Sequence, residues 1–204
     1  MLVLELFAGS RSIGKAAEKL GMPVFSCDIE AFPDIDYQEN ILKFEVKKVP
    51  FYPDIIWASP PCTGFSVASI GHNWTGGKNA YIPKSETART GIAIVKKTLE
   101  LIQYFEPRFW FIENPRGVLR KMDFMQRFTR HTVTYCQYGD ERMKPTDIWT
   151  NNILWKPRPM CKNGDTCHVR APRGGKTGTQ GRKGAFERSK IPQELCIEIL
   201  KSCR

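Results

Sequence analysis

The sequence predicts an α/β domain with a mainly parallel sheet, helices on both faces and a small irregular basic insert. Three observations carry that expectation. Short apolar runs alternate with helical patterns along residues 2–155. Small-residue or proline-bearing turns close the first strand and a middle strand, where such sheets place their ligand loops. From residue 156 to 190 the composition shifts to Pro, Gly, Lys and Arg with little periodicity.

The elements follow in order. Residues 2–7 read as a strand and Ala8 to Ser12 as a small-residue turn. Ile13, Ala16, Ala17 and Leu20 recur at helical spacing before Gly21. Residues 23–27 form a second strand ending at Asp28, residues 40–44 a short turn or helix, and residues 54–58 a buried strand. Residues 63–86 are long, polar and glycine-bearing, which marks a functional loop. A helix over 88–105 presents Ile92, Val95, Leu99 and Ile102 on one face. Residues 108–112 are a strand ending at Glu113-Asn114-Pro115, 118–128 are helical, and 132–137 and 147–155 are further strands. A last helix spans 191–202, with Pro192 in its first turn. The expected organisation is a catalytic and cofactor-binding unit over 1–155, a basic insert over 156–190, and a returning helix over 191–204.

With 204 residues and 41% hydrophobic content, the chain can bury the core of one ordinary domain. No apolar run approaches the roughly 20 residues of a membrane span. The first residues lack the basic start of a signal peptide, so no membrane association and a cytoplasmic setting are expected. Seven scattered cysteines point to a reducing compartment with free thiols. The net charge is +10, and residues 151–190 hold ten Lys/Arg against Asp165 and Glu187. That block is the electrostatic footprint of a nucleic-acid partner, unless it is simply a solvated face.

Cys62 is the sharpest candidate. It follows the strand 54–58 in Ser59-Pro60-Pro61-Cys62-Thr63-Gly64-Phe65-Ser66, where two prolines fix the backbone and a glycine lets it turn. A nucleophile and a buried free thiol are both open on that stretch alone. Phe7-Ala8-Gly9-Ser10 precedes a helix amino end, a place where backbone meets ligand, and Asp28 stands where a ribose would be bound. Glu113, at the end of a buried strand, is placed to act as an acid. Cys161, Cys167 and His168 are either free groups or ligands of a zinc ion, with Cys136 or Cys203 as a fourth.

The order of these motifs resembles the cytosine carbon-5 DNA methyltransferase family. Phe7-Ala8-Gly9 is similar to its cofactor turn and Asp28 to its ribose-binding acid. Asn40-Ile41 falls at its adenine-contacting pair, Pro61-Cys62 at its nucleophile motif and Glu113-Asn114 at its Glu-Asn-Val motif. Residues 188–195 look like its last motif. Arg142, Lys144 and Thr146 occupy the positions of its Gln-x-Arg-x-Arg stretch. Arg11 and Ser12 stand where the family has glycines, Thr63 where it has Gln, and Pro115 where it has Val.

The resemblance implies a Rossmann-like fold and a compact, phage-like enzyme, monomeric and of the kind used in restriction-modification. It would transfer methyl from S-adenosylmethionine to cytosine in DNA. Cys62 would be the nucleophile at ring carbon 6 and Glu113 the acid, with the base flipped out of the duplex. The cofactor would meet Phe7, Ala8, Gly9, Ser10, Arg11, Ser12, Ile13, Asp28, Ile29, Asn40, Ile41, Ser59 and Pro60. The nucleic acid would meet Pro61, Ser66, Asn114, Arg142 and Lys144, with Arg170, Arg173 and Lys176 on the basic arm. His72, Trp74 and Tyr81 would close over the flipped base, or else pack locally. Arg11 would suit a donor with an extra negative group. The alternatives are the same chemistry on RNA, tRNA above all, and a nucleic-acid-binding relative without catalysis.

Overall fold

The structure is a computed structural model, and it describes residues 1–77, 80–162, 164–169 and 184–204. A seven-stranded sheet forms its centre. The strands are β1 (Val3–Leu6), β2 (Val24–Asp28), β3 (Tyr37–Gln38), β4 (Ile55–Ala58), β7 (Phe109–Pro115), β8 (Arg130–Thr134) and β9 (Pro145–Thr150). Their spatial order is β3-β2-β1-β4-β7-β9-β8. Pairing is parallel from β3 through to β7, and β9 runs antiparallel to both β7 and β8. The order reverses between β1 and β4, which places a crevice at their carboxyl ends.

The sheet is covered on both faces, so its inner strands read as unbroken apolar runs. Alternate residues serve opposite cores. Leu4, Leu6, Ile56, Ala58, Trp110 and Ile112 pack with Val95, Leu101, Ile102 and Phe105 of α3 (Glu86–Phe105). Val3, Ile55, Trp57, Phe109 and Phe111 pack with Ile13, Ala16 and Ala17 of α1 (Ser12–Lys19) and with Leu195, Cys196 and Ile199 of α6 (Gln193–Ser202). Ser85 caps α3 by accepting from the Ala88 amide at 3.0 Å.

The sequence expectation misses several boundaries, each for a local reason. The strand predicted over 147–155 stops at Thr150. Asn151 Oδ1 accepts from the Trp110 amide and Asn152 N–H donates to Thr150 Oγ1, which turns the chain away. The strand predicted over 132–137 begins at Arg130 and gives way to a 3-10 turn over Tyr135–Tyr138. The helix predicted over 118–128 divides into a 3-10 turn at Val118–Lys121 and α4 (Asp123–Gln126), because Met122 between them is extended. The predicted long loop holds α2 (Ile70–Asn73) and a small hairpin, β5 (Trp74–Thr75) with β6 (Ile82–Pro83). Part of the predicted irregular basic insert is helical, as α5 (Ala185–Ser189). No helix among the described residues is long and apolar enough to cross a membrane.

Candidate active site

Cys62 stands just beyond the carboxyl end of β4, half-buried, in a turn closed by the Phe65 amide donating to the Cys62 carbonyl at 2.9 Å. Neighbouring elements hold that turn. Asn114 Nδ2, on β7, donates to the Pro60 carbonyl at 2.8 Å from a fully buried position. Its Oδ1 is buried with no hydrogen-bond partner among the described residues. Val118 N–H donates to the Phe65 carbonyl at 2.8 Å, and a Cβ on Gly117 would lie 2.3 Å from that same oxygen. Glycine at 117 therefore serves close backbone approach.

Glu113 and Asn114 lie within β7, which continues to Pro115, three residues past the end at 112 that the sequence predicts. The Glu113 carboxyl is 5% exposed. Its Oε1 accepts from the buried Tyr135 hydroxyl at 3.0 Å, which fixes the plane of the carboxyl group. Lys144 Nζ lies 4.5 Å from the centre of the Tyr135 ring and donates to the Arg188 carbonyl. Burial raises the Cys62 thiol pKa and the charge of Glu113 adds to this, while Lys144 and Arg188 oppose it. Burial lowers the pKa of Lys144, and Glu113 and Cys62 partly restore it. Thiol, carboxyl and ammonium thus act on one another across a single site at the sheet edge.

The cofactor-type turn lies one strand away. Phe7, Gly9 and Arg11 all have positive φ, near 58°, 48° and 53°, so the chain reverses tightly between β1 and α1. Asp28 Oδ2 accepts from the Gly9 amide at 2.9 Å and Oδ1 from the Glu30 amide at 3.0 Å. Beside Asp28, Ile29 is 58% exposed, an apolar surface next to a carboxylate at the switch point of the sheet. Those residues suit a nucleoside, whose base covers apolar surface and whose ribose donates to a carboxylate. Ser59 Oγ accepts from Trp57 Nε1, and Pro60 is buried.

Several side chains expected at the cofactor or the nucleic acid have partners within the protein. The Arg11 side chain turns inward, donating to Ser26 Oγ at 3.2 Å and pairing with Glu18. Ile13 is fully buried and its amide donates to Glu5 Oε1, so it serves the core and the helix start. Ser12 Oγ accepts from the Ile191 amide, and Ser10 Oγ lies 2.9 Å from it. Asn40 Oδ1 caps its own 3-10 turn at Leu42, and Ile41 is core. Arg142 is 1% exposed. Its guanidinium pairs with Asp140 and donates to the carbonyls of Arg188 and Lys190, seating the chain ahead of α6. Thr146 is buried and donates to the Lys144 carbonyl. Ser66 Oγ accepts from the Ala68 amide, while Pro61 and Ala8 flank the turns as exposed and buried residues. Trp74 is buried, donates to the Gly64 carbonyl at 2.7 Å and stacks on Phe65, with Tyr81 edge-on to it; those two rings pack locally. Arg170, Arg173 and Lys176 lie outside the described residues.

Two further residues, one at the carboxyl and one behind the β1–α1 turn, lie outside the candidates drawn from the sequence. Tyr135 follows a strand like any core aromatic, and its role appears only with its bond to Glu113. Glu5 is 2% exposed inside β1 and accepts from the Ile13 amide and Ser26 Oγ. An acid in an otherwise apolar run was its only trace.

The fold is shared with solved methyltransferase structures. A prophage-encoded E. coli protein, titled as a DNA modification methyltransferase, superposes with TM-score 0.53 at 16% identity over 79% of this chain and 52% of its own. The Entamoeba histolytica methyltransferase EhMeth superposes with TM-score 0.51 at 12% identity over 74% and 52%. This chain spans about half the length of those two proteins. No protein-family model matches the sequence. A protein of Frog virus 3 (isolate Goorha), named a probable DNA (cytosine-5)-methyltransferase, is 29% identical over the whole of both chains. The chain resembles the cytosine carbon-5 methyltransferases from end to end. Its fold is a methyltransferase fold, and Cys62, Glu113 and Asn114 sit on the carboxyl edge of the sheet, where that fold keeps its site.

Proposed function

We propose that the protein is a DNA (cytosine-5)-methyltransferase that uses Cys62 as a covalent nucleophile. The observation that carries this reading is the joint setting of Cys62 and Glu113. Cys62 follows β4 and Glu113 lies on the neighbouring strand β7; the two are coupled electrostatically, and one carboxyl oxygen accepts from Tyr135. The full-length likeness to the frog-virus protein supports DNA as the substrate.

Ring carbon 5 of cytosine is a weak nucleophile. A thiolate bonded to carbon 6 converts the ring to an enamine-like species with electron density at carbon 5. The thiol proton must leave Cys62 first, and its raised pKa resists that step. A Glu113 carboxyl hydrogen-bonded at ring nitrogen 3 would stabilise the charge that develops on the ring, and Lys144 would favour the thiolate. S-adenosylmethionine, held by Asp28, Ile29 and the Phe7–Gly9 turn, would supply an electrophilic methyl group. A base, with solvent as the final acceptor, takes the carbon-5 proton as the carbon-6–sulfur bond breaks, which releases Cys62 as a thiolate and restores the aromatic ring. The reacting base must leave the helical stack for these contacts to form.

The test is transfer of labelled methyl to cytosine-containing DNA, with a parallel RNA arm and Cys62→Ser as control. Transfer to DNA that disappears in the variant supports the reading. Transfer to RNA alone reassigns the substrate. Absence of transfer, with no covalent adduct on 5-fluorocytosine DNA, overturns it.

A further inference from the structure

We propose that Cys136, Cys161, Cys167 and His168 form a structural zinc site that fastens the start of the basic segment to the catalytic sheet. Their four ligand atoms all lie within 4.8 Å of one another. Cys136 Sγ is 3.1 Å from Cys161 Sγ and 3.6 Å from Cys167 Sγ, and His168 Nδ1 is 3.8 Å from Cys161 Sγ and 3.6 Å from Cys167 Sγ. A tetrahedral zinc with bonds of about 2.3 Å to sulfur and about 2.0 Å to nitrogen sets its ligands roughly 3.5–3.8 Å apart. Three of the four separations fall in or close to that range, and the fourth needs only a small spreading of two sulfurs. Three soft sulfurs with one imidazole select zinc over the hard cations. A complete set of four protein ligands leaves no position for substrate, which makes the site structural.

The sequence around the cluster is organised to present it. Cys136 sits in the turn that ends β8, and Cys161 donates its amide to Thr134 Oγ1 at 3.0 Å beside it. Val169 N–H donates to the Glu141 carbonyl, which brings Cys167 and His168 alongside. Gln137 Nε2 donates to Cys167 Sγ at 3.4 Å, a bond that a metal-bound thiolate accepts more strongly than a thiol. Cys136 and Cys161 are 8% and 7% exposed. On binding, Zn²⁺ displaces three thiol protons and takes neutral His168 through Nδ1, so the loaded site carries a net charge of −1. Nε2 of His168, buried without a partner among the described residues, then holds the ring proton. The metal would join three stretches that share no strand pairing. One of them directly follows Tyr135, the residue that orients Glu113.

The protein is purified without a chelating tag, and its metal is read by elemental analysis and native mass spectrometry. The expected result is about one zinc per chain, with the protein mass lowered by the displaced protons. Cys161→Ser and His168→Ala lose the metal at least tenfold more readily to a chelator, while Cys27→Ser, a free buried thiol elsewhere, keeps it. Should the site variants fail to fold, cobalt exchanged into the unmodified protein reports instead, through tetrahedral ligand-field bands and thiolate charge transfer. Zinc at less than about a tenth of an equivalent after growth with added zinc, combined with no cobalt spectrum, overturns the proposal. So does a protein two protons light from a disulfide in the cluster, or full zinc retention in Cys161→Ser. These readouts need no methyl transfer, so the proposal stands or falls apart from the catalytic reading.

Discussion

Glu5 makes the most quantitative test of how the cofactor turn is held. Its carboxyl is 2% exposed and accepts from the Ile13 amide at 3.0 Å and Ser26 Oγ at 3.2 Å, with Arg11 close enough to favour its charge. Burial outweighs those contacts and raises its pKa from 4.5 to about 7. In the unfolded chain it titrates near the ordinary value. Between pH 4.5 and 7 the folded protein therefore keeps a proton that the unfolded chain has already lost. Stability falls as pH rises where the folded state binds more protons, so this group makes the protein less stable across that window and level above it. At about 1.4 kcal/mol per pH unit the full effect is ~3 kcal/mol. Glu5→Gln keeps an oxygen for Ile13 and removes the charge. Urea unfolding of both proteins at pH 5, 6, 7 and 8 reads the difference. The Gln variant should gain on the parent by up to ~3 kcal/mol between pH 5 and 8. Parallel curves, within ~0.5 kcal/mol throughout, would show that Glu5 is ionised in the fold and that Arg11 outweighs burial.

Four further variants have defined outcomes. Lys144→Met removes the cation that favours the Cys62 thiolate, so alkylation of Cys62 at pH 8 should slow and its pH profile move to higher pH; Glu113→Gln should shift it to lower pH, and both should lose methyl transfer. Gly117→Ala drives a Cβ into the Phe65 carbonyl and should cost about 1–3 kcal/mol in urea unfolding while abolishing adduct formation on 5-fluorocytosine DNA. Asp147→Ala strips a fully buried carboxylate from Arg120 and Thr132 and should lower stability by about 3–5 kcal/mol, read as a fall in the urea midpoint.

What the sequence showed well is what repeats locally. Val3–Leu6 and Ile55–Ala58 are buried on both faces, so their apolar runs announce a covered parallel sheet. Cys62 and Asp28 lie at strand ends that the same runs define, and so they were visible. The structure placed Arg11, Arg142 and Trp74 differently because their partners are remote or lie on the backbone. Ser26 Oγ, the carbonyls of residues 188 and 190, and the Gly64 carbonyl leave no pattern in composition or spacing. Cys136 stood only as one possible fourth ligand, since 25 residues separate it from Cys161. Motif position alone gave Arg142 to the substrate. Its guanidinium is buried and needs partners, which carbonyls 188 and 190 supply.

The stretch from Tyr135 to Lys144 joins the two halves of this reading. At one end Tyr135 orients Glu113, and at the other Lys144 acts on Cys62. The same stretch holds the basic segment at two places. Glu141 accepts from Val169 within it, and Arg142 and Lys144 donate to carbonyls of residues 188 and 190 at its end. A polyanion drawn to the basic residues would pull on anchors that are one or two side chains from the thiol and the carboxyl. Movement of residue 188 relative to Lys144 would change the balance of charge at Cys62, since Lys144 and Arg188 are the two cations that favour its thiolate. Binding and activation would then be one event, with Lys144 as the hinge between them. The consequence is measurable: short polyanionic DNA lacking cytosine should alter the alkylation rate of Cys62 in the parent protein and leave it unchanged in Lys144→Met. Equal responses in the two proteins would separate the arm from the nucleophile and break that link.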